Sequence, residues 1–169
     1  MKQSMILSSL TAGFVVGAVS SALSQSADAI AAPGEITIAT LHAEGAQIYE
    51  CKAANDGTLS WQFREPIATL LLDDKTVGRH YAGPSWEYSD GSAVTGKVLA
   101  SAPGATPLDI PWLKLEVATR RGSGTLANVT TIQRLNTHGG AVTGPCEQAG
   151  SFRSAPYAAD YVFLRKGSP

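Results

Sequence analysis

The chain has no excess of positive charge and no run of basic residues longer than the pair Arg120-Arg121. Its 13 Lys and Arg residues are balanced by 14 Asp and Glu residues, which gives a formal net charge of -1 at pH 7. Phosphate backbones and anionic membranes are bound through clustered Lys and Arg side chains. The composition therefore predicts neither a nucleic-acid partner nor a membrane-surface partner.

Long hydrophobic runs are also missing. The longest, from Met5 to Val19, is shorter than the roughly 20 residues that a membrane-spanning helix needs, so we expect no membrane span. This run follows Lys2 and precedes the A-x-A site Ala27-Asp28-Ala29, an order typical of a secretory signal peptide. We therefore predict a signal peptide over residues 1–29 and one secreted domain, extracellular or periplasmic, over residues 30–169.

Cysteine is scarce, with Cys51 and Cys146 as the two residues of this type. In an oxidising compartment, an isolated pair far apart in sequence is typical of a structural disulfide, which we predict here. The alternative, a thiolate nucleophile or a metal ligand, would call for closely spaced Cys or His partners, and the sequence offers none.

Familiar catalytic motifs are absent too, including the G-x-S-x-G elbow, H-E-x-x-H and the Walker loop. The segment Gly122 to Ala127 matches G-x-G-x-x-A, the pattern of a dinucleotide-binding turn. Such a turn opens a helix, whereas the residues from Val129 to Ile132 favour a strand. We expect a glycine-rich hairpin loop there, and we predict no cofactor and no metal.

What the sequence does contain is alternation with a period of two residues, interrupted by regularly spaced turns. The final segment places Tyr157, Ala159, Tyr161 and Phe163 on one face of a strand. Proline is expected to separate a strand that ends at Phe63 from one that starts at Ile67. This pattern predicts an all-β domain, either an antiparallel β-sandwich or a closed β-barrel.

The densest cluster of aromatic and polar residues runs from Gly78 to Ser92. If the protein has a ligand, we expect it beside His80, Tyr81, Trp86 and Asp90, where aromatic faces and acids could recognise a sugar or another planar molecule. The alternative is an ordinary hairpin whose rings pack in the core and whose charges face solvent. The remaining histidines, His42 and His138, are expected in solvent-facing loops.

Two functional classes stay open. A non-catalytic module that binds an extracellular ligand or surface is favoured, because strands and aromatic residues are plentiful whereas catalytic signatures are not. The alternative is a metal-assisted or hydrolytic enzyme that uses His80 with Asp90 or Glu87. An open pocket with polar side chains within hydrogen-bond reach of His80 would favour the enzyme.

Several motifs, spread in order over nearly the whole chain beyond the leader, resemble the family known as domain of unknown function 3455. These are LHAEGAQIYEC from Leu41, WQF from Trp61, VGRHYAGPSWEYSDGS from Val77, IPWLKL from Ile110, VTTIQRLNTHGG from Val129 and PYAADYVF from Pro156. The resemblance implies a secreted single domain of bacteria and fungi. It implies no activity, and it assigns no catalytic or binding residue.

Overall fold

A computed structural model describes residues 28–167 of the chain. The predicted signal peptide lies outside the described residues, apart from Asp28 and Ala29. Within the described part, no helix has the length and hydrophobicity needed to cross a membrane. Eight strands make up the fold of these 140 described positions, residues 28–167: β1 (Glu35–Ala53), β2 (Leu59–Leu72), β3 (Lys75–Tyr81), β4 (Ser85–Tyr88), β5 (Ala93–Ala102), β6 (Trp112–Arg121), β7 (Thr131–Gly139) and β8 (Phe152–Lys166).

The strands form one antiparallel sheet that closes on itself. Each strand pairs with the next one along the chain, and β8 pairs with β1 from Glu35↔Lys166 to Glu50↔Phe152. Closure removes most of the free edges at which an open sheet could pair with other chains; the sides of β2 and β5 beyond the short β3 and β4 stay unpaired. The all-β prediction is confirmed, and of the two architectures considered the molecule adopts the closed barrel.

Strand alternation determines which side chains fill the barrel. On β8 the predicted inner face is confirmed, since Tyr157, Ala159, Tyr161 and Phe163 are all at most 4% exposed. On β1 the same alternation turns Leu41 and other residues two positions apart toward the interior.

The predicted break at Pro66 is wrong. β2 continues through Pro66, which pairs with Gln47 of β1, and the irregularity is instead a register shift opposite Ile48 and Tyr49. The β2–β3 ladder begins only at Ala68, so Pro66 lies where the strand is paired on one side. A strand tolerates proline at such an edge-like position, because the missing N–H removes no hydrogen bond from a second neighbour.

The expectation that His42 and His138 lie in loops is also wrong. His42 belongs to β1 and His138 to β7. Both side chains are nevertheless exposed, because each lies on the outer face of its strand.

One end of the barrel is sealed by the glycine-rich loop between β6 and β7. The loop turns Leu126 and Val129 into the interior, where both are fully buried. The amide N–H of Leu126 donates to Ser92 Oγ at 3.1 Å, which ties the loop to the neighbouring β4–β5 turn. The predicted hairpin loop is thus confirmed, and it closes this end of the fold.

The predicted disulfide lies at the opposite end. Cys51 and Cys146 are bonded, with their Cα atoms 5.9 Å apart. The bond ties the loop between β7 and β8 to the end of β1. A bridge between Pro145 and Ser60 extends the same loop to the beginning of β2.

Candidate functional site

A cavity of about 550 Å³ lies inside the barrel at the disulfide end. Its inner wall is made of buried side chains from six strands, whereas its outer part is lined by exposed residues that we call the mouth. The inner wall comprises Gln47, Pro66, His80, Trp86, Leu115 and Tyr161, and the mouth comprises Phe63, Arg64, Gly83, Val98 and Pro111.

The mouth exists because the β3–β4 hairpin is shorter than its neighbours. β3 pairs with β2 only between Ala68 and Leu72, and β4 pairs with β5 only between Ala93 and Thr95. Beyond these pairs, the facing sides of β2 and β5 have no strand between them within residues 28–167. The floor of the gap is the β3–β4 turn, where Gly96 N–H donates to Pro84 O at 3.0 Å.

His80 and Trp86 meet at the bottom of this gap. They form a cross-strand pair between β3 and β4, and their rings stack with centroids 4.5 Å apart and planes inclined by 11°. Tyr161 packs against the same pair, its ring centroid 4.9 Å from that of His80. Of the four predicted site residues, His80 and Trp86 line the cavity, and aromatic packing holds both rings in place.

The imidazole of His80 is neutral at neutral pH. Burial lowers its pKa to about 4; the hydrogen bond to Ser85 opposes this shift and the charge of Arg134 adds to it. Its Nδ1 lies 2.8 Å from the carbonyl oxygen of Ser85. A carbonyl only accepts, so Nδ1 carries the proton and Nε2 is left with a free lone pair.

Tyr81 and Glu87 face away from the cavity, because neighbouring residues on a strand point to opposite faces. Tyr81 Oη donates to Glu87 Oε2 at 3.2 Å on the outer surface. The same oxygen accepts from Arg79 at 3.0 Å and from Arg121 at 2.9 Å. These hydrogen bonds, led by that from Arg79, hold the pKa of Glu87 below its usual value. The carboxylate that the hydrolytic hypothesis needed beside His80 is bound on the other side of the sheet.

Asp90 lies at the sealed end of the barrel, in the β4–β5 turn. Its carboxylate accepts from the hydroxyl and amide of Ser92 and from the amide and hydroxyl of Thr125. These hydrogen bonds, that from the Ser92 hydroxyl first, hold its pKa well below the ordinary range. Asp90 joins two loops that close the barrel and does not reach the cavity.

Two residues of the cavity wall carry buried N–H donors without hydrogen-bond partners among the described residues. Gln47 is 2% exposed, and its Nε2 has no hydrogen-bond partner among the described residues. The same is true of Nε1 of Trp86, which is 1% exposed. Buried polar atoms are normally satisfied, so two unpaired donors in the wall of one cavity are an unusual feature.

Comparison with known families agrees with the motif resemblance. The model of a family described as protein of unknown function (DUF3455) matches residues 32–76 and 71–165. The chain belongs to this family. No curated protein and no solved structure matches the chain. Membership assigns no activity to this DUF3455 member.

The sequence prediction omits Gln47 and Arg134, which line the cavity of this DUF3455 member. A signal for both was present in the alternation. Arg134 lies two residues after the buried Ile132, and Gln47 follows Leu41 on the inner face of β1 at even spacing. A polar residue in phase with the core face of a strand is therefore the feature that could have located them. No group of three or more His, Cys, Asp or Glu side chains within residues 28–167 is arranged to hold a metal.

Proposed function

We propose that this protein is a non-catalytic binding module that takes a small, largely apolar organic molecule into the barrel. The observation that carries the proposal is the cavity of about 550 Å³ with its lateral mouth. Its volume falls in the roughly 300–1,000 Å³ range of small-molecule sites. Eight-stranded barrels are wide enough to hold one small ligand in their interior.

The lining favours an apolar ligand over the sugar considered from the sequence. Pro66, Leu115 and the aromatic rings of the inner wall offer few hydrogen bonds. The ring of Trp86 already stacks on His80 at 4.5 Å, so that face is not available to a sugar ring. Apolar walls with a few polar groups are the usual composition of a pocket for a hydrophobic organic molecule.

The hydrolytic alternative receives less support from the contacts of His80. Glu87 and Asp90, the acids that would activate it, are engaged on the outer face and at the sealed end. The hydrogen bond of His80 goes to the backbone of Ser85, and its ring is packed against Trp86. A neutral, stacked imidazole is suited to shaping a binding site.

We also propose that the protein acts outside the cytoplasm. The signal-peptide pattern over residues 1–29 supports export. The disulfide between Cys51 and Cys146 supports an oxidising compartment. Mass spectrometry of the exported protein tests this: a first residue at or near Ile30 supports export with cleavage, and an intact Met1 contradicts it.

The binding proposal can be tested with phenylnaphthylamine, an uncharged dye that fluoresces in apolar surroundings. Wild type should bind the dye at one site. Val98→Trp places a large ring in the mouth, where Val98 is 49% exposed, and should abolish binding. Leu99→Trp is the matched control, because Leu99 is 55% exposed on the same strand but does not line the cavity.

The control should bind the dye like wild type. Equal binding by the two Trp variants would place the dye outside the cavity and overturn the proposal. So would a lack of binding to folded wild type. Circular dichroism of both variants verifies that the barrel is intact.

A further inference from the structure

The charges that line the cavity are all of one sign. Arg64 and Arg134 are lining residues, whereas no Asp or Glu is among the described residues that form the cavity. Arginine keeps its charge at any pH at which the protein is folded. The described lining therefore carries positive charge and no carboxylate of its own to balance it.

The two arginines differ in what balances them. Arg64 lies at the mouth, 3.3 Å from the carboxylate of Glu65 and 4.9 Å from the centroid of the Phe152 ring. Arg134 instead donates Nε and one terminal nitrogen to the backbone oxygen of Pro111, at 3.0 and 2.8 Å. Within residues 28–167 it forms no ion pair. Arg134 is thus the cavity charge that a ligand could balance.

The charge of Arg134 influences three titratable groups of the cavity wall. Burial raises the pKa values of Tyr49 and Tyr161, and Arg134 offsets part of that increase. It also adds to the effect of burial that keeps His80 neutral. A negative group placed in the cavity would therefore interact favourably with Arg134 without facing a like charge from the wall.

Unpaired donors point to the same ligand chemistry. Gln47 Nε2 and Trp86 Nε1 are buried, lack partners and belong to lining residues. A carboxylate offers several acceptor sites and no donor when ionised, which suits a wall whose two unpaired polar atoms are both N–H donors. Hydrogen bonds between arginine and a carboxylate are also shorter and stronger than neutral ones.

We propose that the ligand is an organic acid with an apolar body, and that Arg134 binds its carboxylate. The apolar body lies against the inner wall, in contact with Leu115 and the aromatic rings. This inference rests on the proposed function, since it specifies the chemical class of the molecule that enters the same cavity.

Decanoate, decanol and decylamine test the inference, because they share one apolar chain and differ in head group. Each is used at neutral pH to displace phenylnaphthylamine from the protein. Wild type should bind decanoate about tenfold to a hundredfold more tightly than decanol, the range expected for a hydrogen bond to a charged group. Decylamine should bind more weakly than decanol, since its positive charge faces that of Arg134.

Variants of the two arginines locate the effect. Arg134→Gln should bring decanoate to the affinity of decanol while leaving decanol unchanged. Arg134→Lys should retain part of the preference, because it keeps the charge without the planar fork of donors. Arg64→Gln is the matched control, since Arg64 lines the same cavity but is already paired with Glu65, and it should keep the full preference.

The outcomes separate this inference from the proposal on which it rests. If decanol and decanoate bind wild type equally, the carboxylate assignment is overturned and the apolar cavity remains. The same holds if Arg134→Gln keeps the preference of wild type. If neither compound nor the dye binds the folded protein, the proposed function itself fails. The comparison of three head groups on wild type needs no variant, so it tests the carboxylate preference even if Arg134→Gln does not fold, and Arg134→Lys with Arg64→Gln then tests the assignment to Arg134.

Discussion

The same eight strands build two very different halves of one barrel. In the half that ends at the β6–β7 loop, which we call the closed half, the interior is filled by large apolar side chains. In the other, the cavity half, polar side chains and a proline share the inward positions with large apolar ones, and the interior is not filled. Residues of the closed half include Leu41, Leu70, Leu126, Ile132 and Phe163, all fully buried, whereas the cavity half has Gln47, Pro66, His80 and Arg134 at inward positions.

The difference shows that inward orientation alone does not decide what a barrel residue does. Ile132 and Arg134 lie two positions apart on the inner face of β7, yet the first is core and the second lines the cavity. The position of an inward-facing residue along the barrel axis determines whether it belongs to the core or lines the cavity. The closed half should therefore supply the stability, and the cavity half should supply the selectivity for a ligand.

The largest expected effect comes from emptying the closed half. Phe163→Ala removes a fully buried ring and should lower the free energy of unfolding by about 3–5 kcal/mol. Val98→Ala, at the mouth and 49% exposed, should change it by less than about 0.5 kcal/mol. Urea unfolding of the two variants measures both values. Similar losses in the two would remove the distinction between the halves.

The disulfide is expected to have the next largest effect. It closes a loop with a sequence separation of 95 residues, so replacing both Cys51 and Cys146 by Ser should cost about 2–5 kcal/mol. Because the bond holds a loop at the cavity end, dye affinity should also fall in protein that remains folded. A urea midpoint of the double Ser variant equal to that of wild type would contradict a stabilising role.

Acid should destabilise the protein through His80. An unfolded chain protonates its histidines near pH 6.5, whereas burial lowers the pKa of His80 to about 4 in the fold. Since the unfolded chain takes up this proton first, stability is full above about pH 6.5 and declines toward pH 4, by up to about 3 kcal/mol.

The check is the urea midpoint measured across that pH range for wild type and His80→Gln. The variant has no group that titrates at this site, so its midpoint should fall less between about pH 6.5 and 4. Parallel curves for the two proteins would mean that His80 is not held neutral by the cavity half.

The smallest effect is expected on the outer face. Tyr81→Phe removes the hydroxyl that donates to Glu87 at 3.2 Å, so it should cost no more than about 1 kcal/mol. Dye binding should be unchanged, because Tyr81 points away from the cavity. A clear loss of binding would show that the outer face of β3 contributes to the site after all.

The sequence predicted the local features better than the closed architecture. Alternation identified the inner face of β8 from Tyr157 to Phe163, and the two cysteines indicated their own bond. Neither signal indicates which strand pairs with β1 to close the sheet. That partner is β8, which lies at the other end of the domain in sequence. Pro66 was misjudged for a related reason: whether proline breaks a strand depends on whether a second strand lies beside it.

The candidate site was predictable in part. His80 and Trp86 lie in the cavity wall, because a cross-strand pair on the inner face brings them together. Tyr81 and Asp90 are close to them in sequence, but strand alternation turns Tyr81 outward and the β4–β5 turn carries Asp90 to the other end. Arg134 lies far away in sequence and reaches the cavity only through the tertiary fold.

The central claim is that a ligand enters the cavity half and touches its wall, and the emission of Trp86 tests it most directly. A variant with Trp61→Phe and Trp112→Phe retains Trp86 as its single tryptophan. Decanol with bromine at the end of its chain quenches tryptophan on contact, and decanol without bromine is the control. We predict saturable quenching of Trp86 by the brominated compound alone. Displacement of the dye by brominated decanol with unchanged Trp86 emission would contradict the claim.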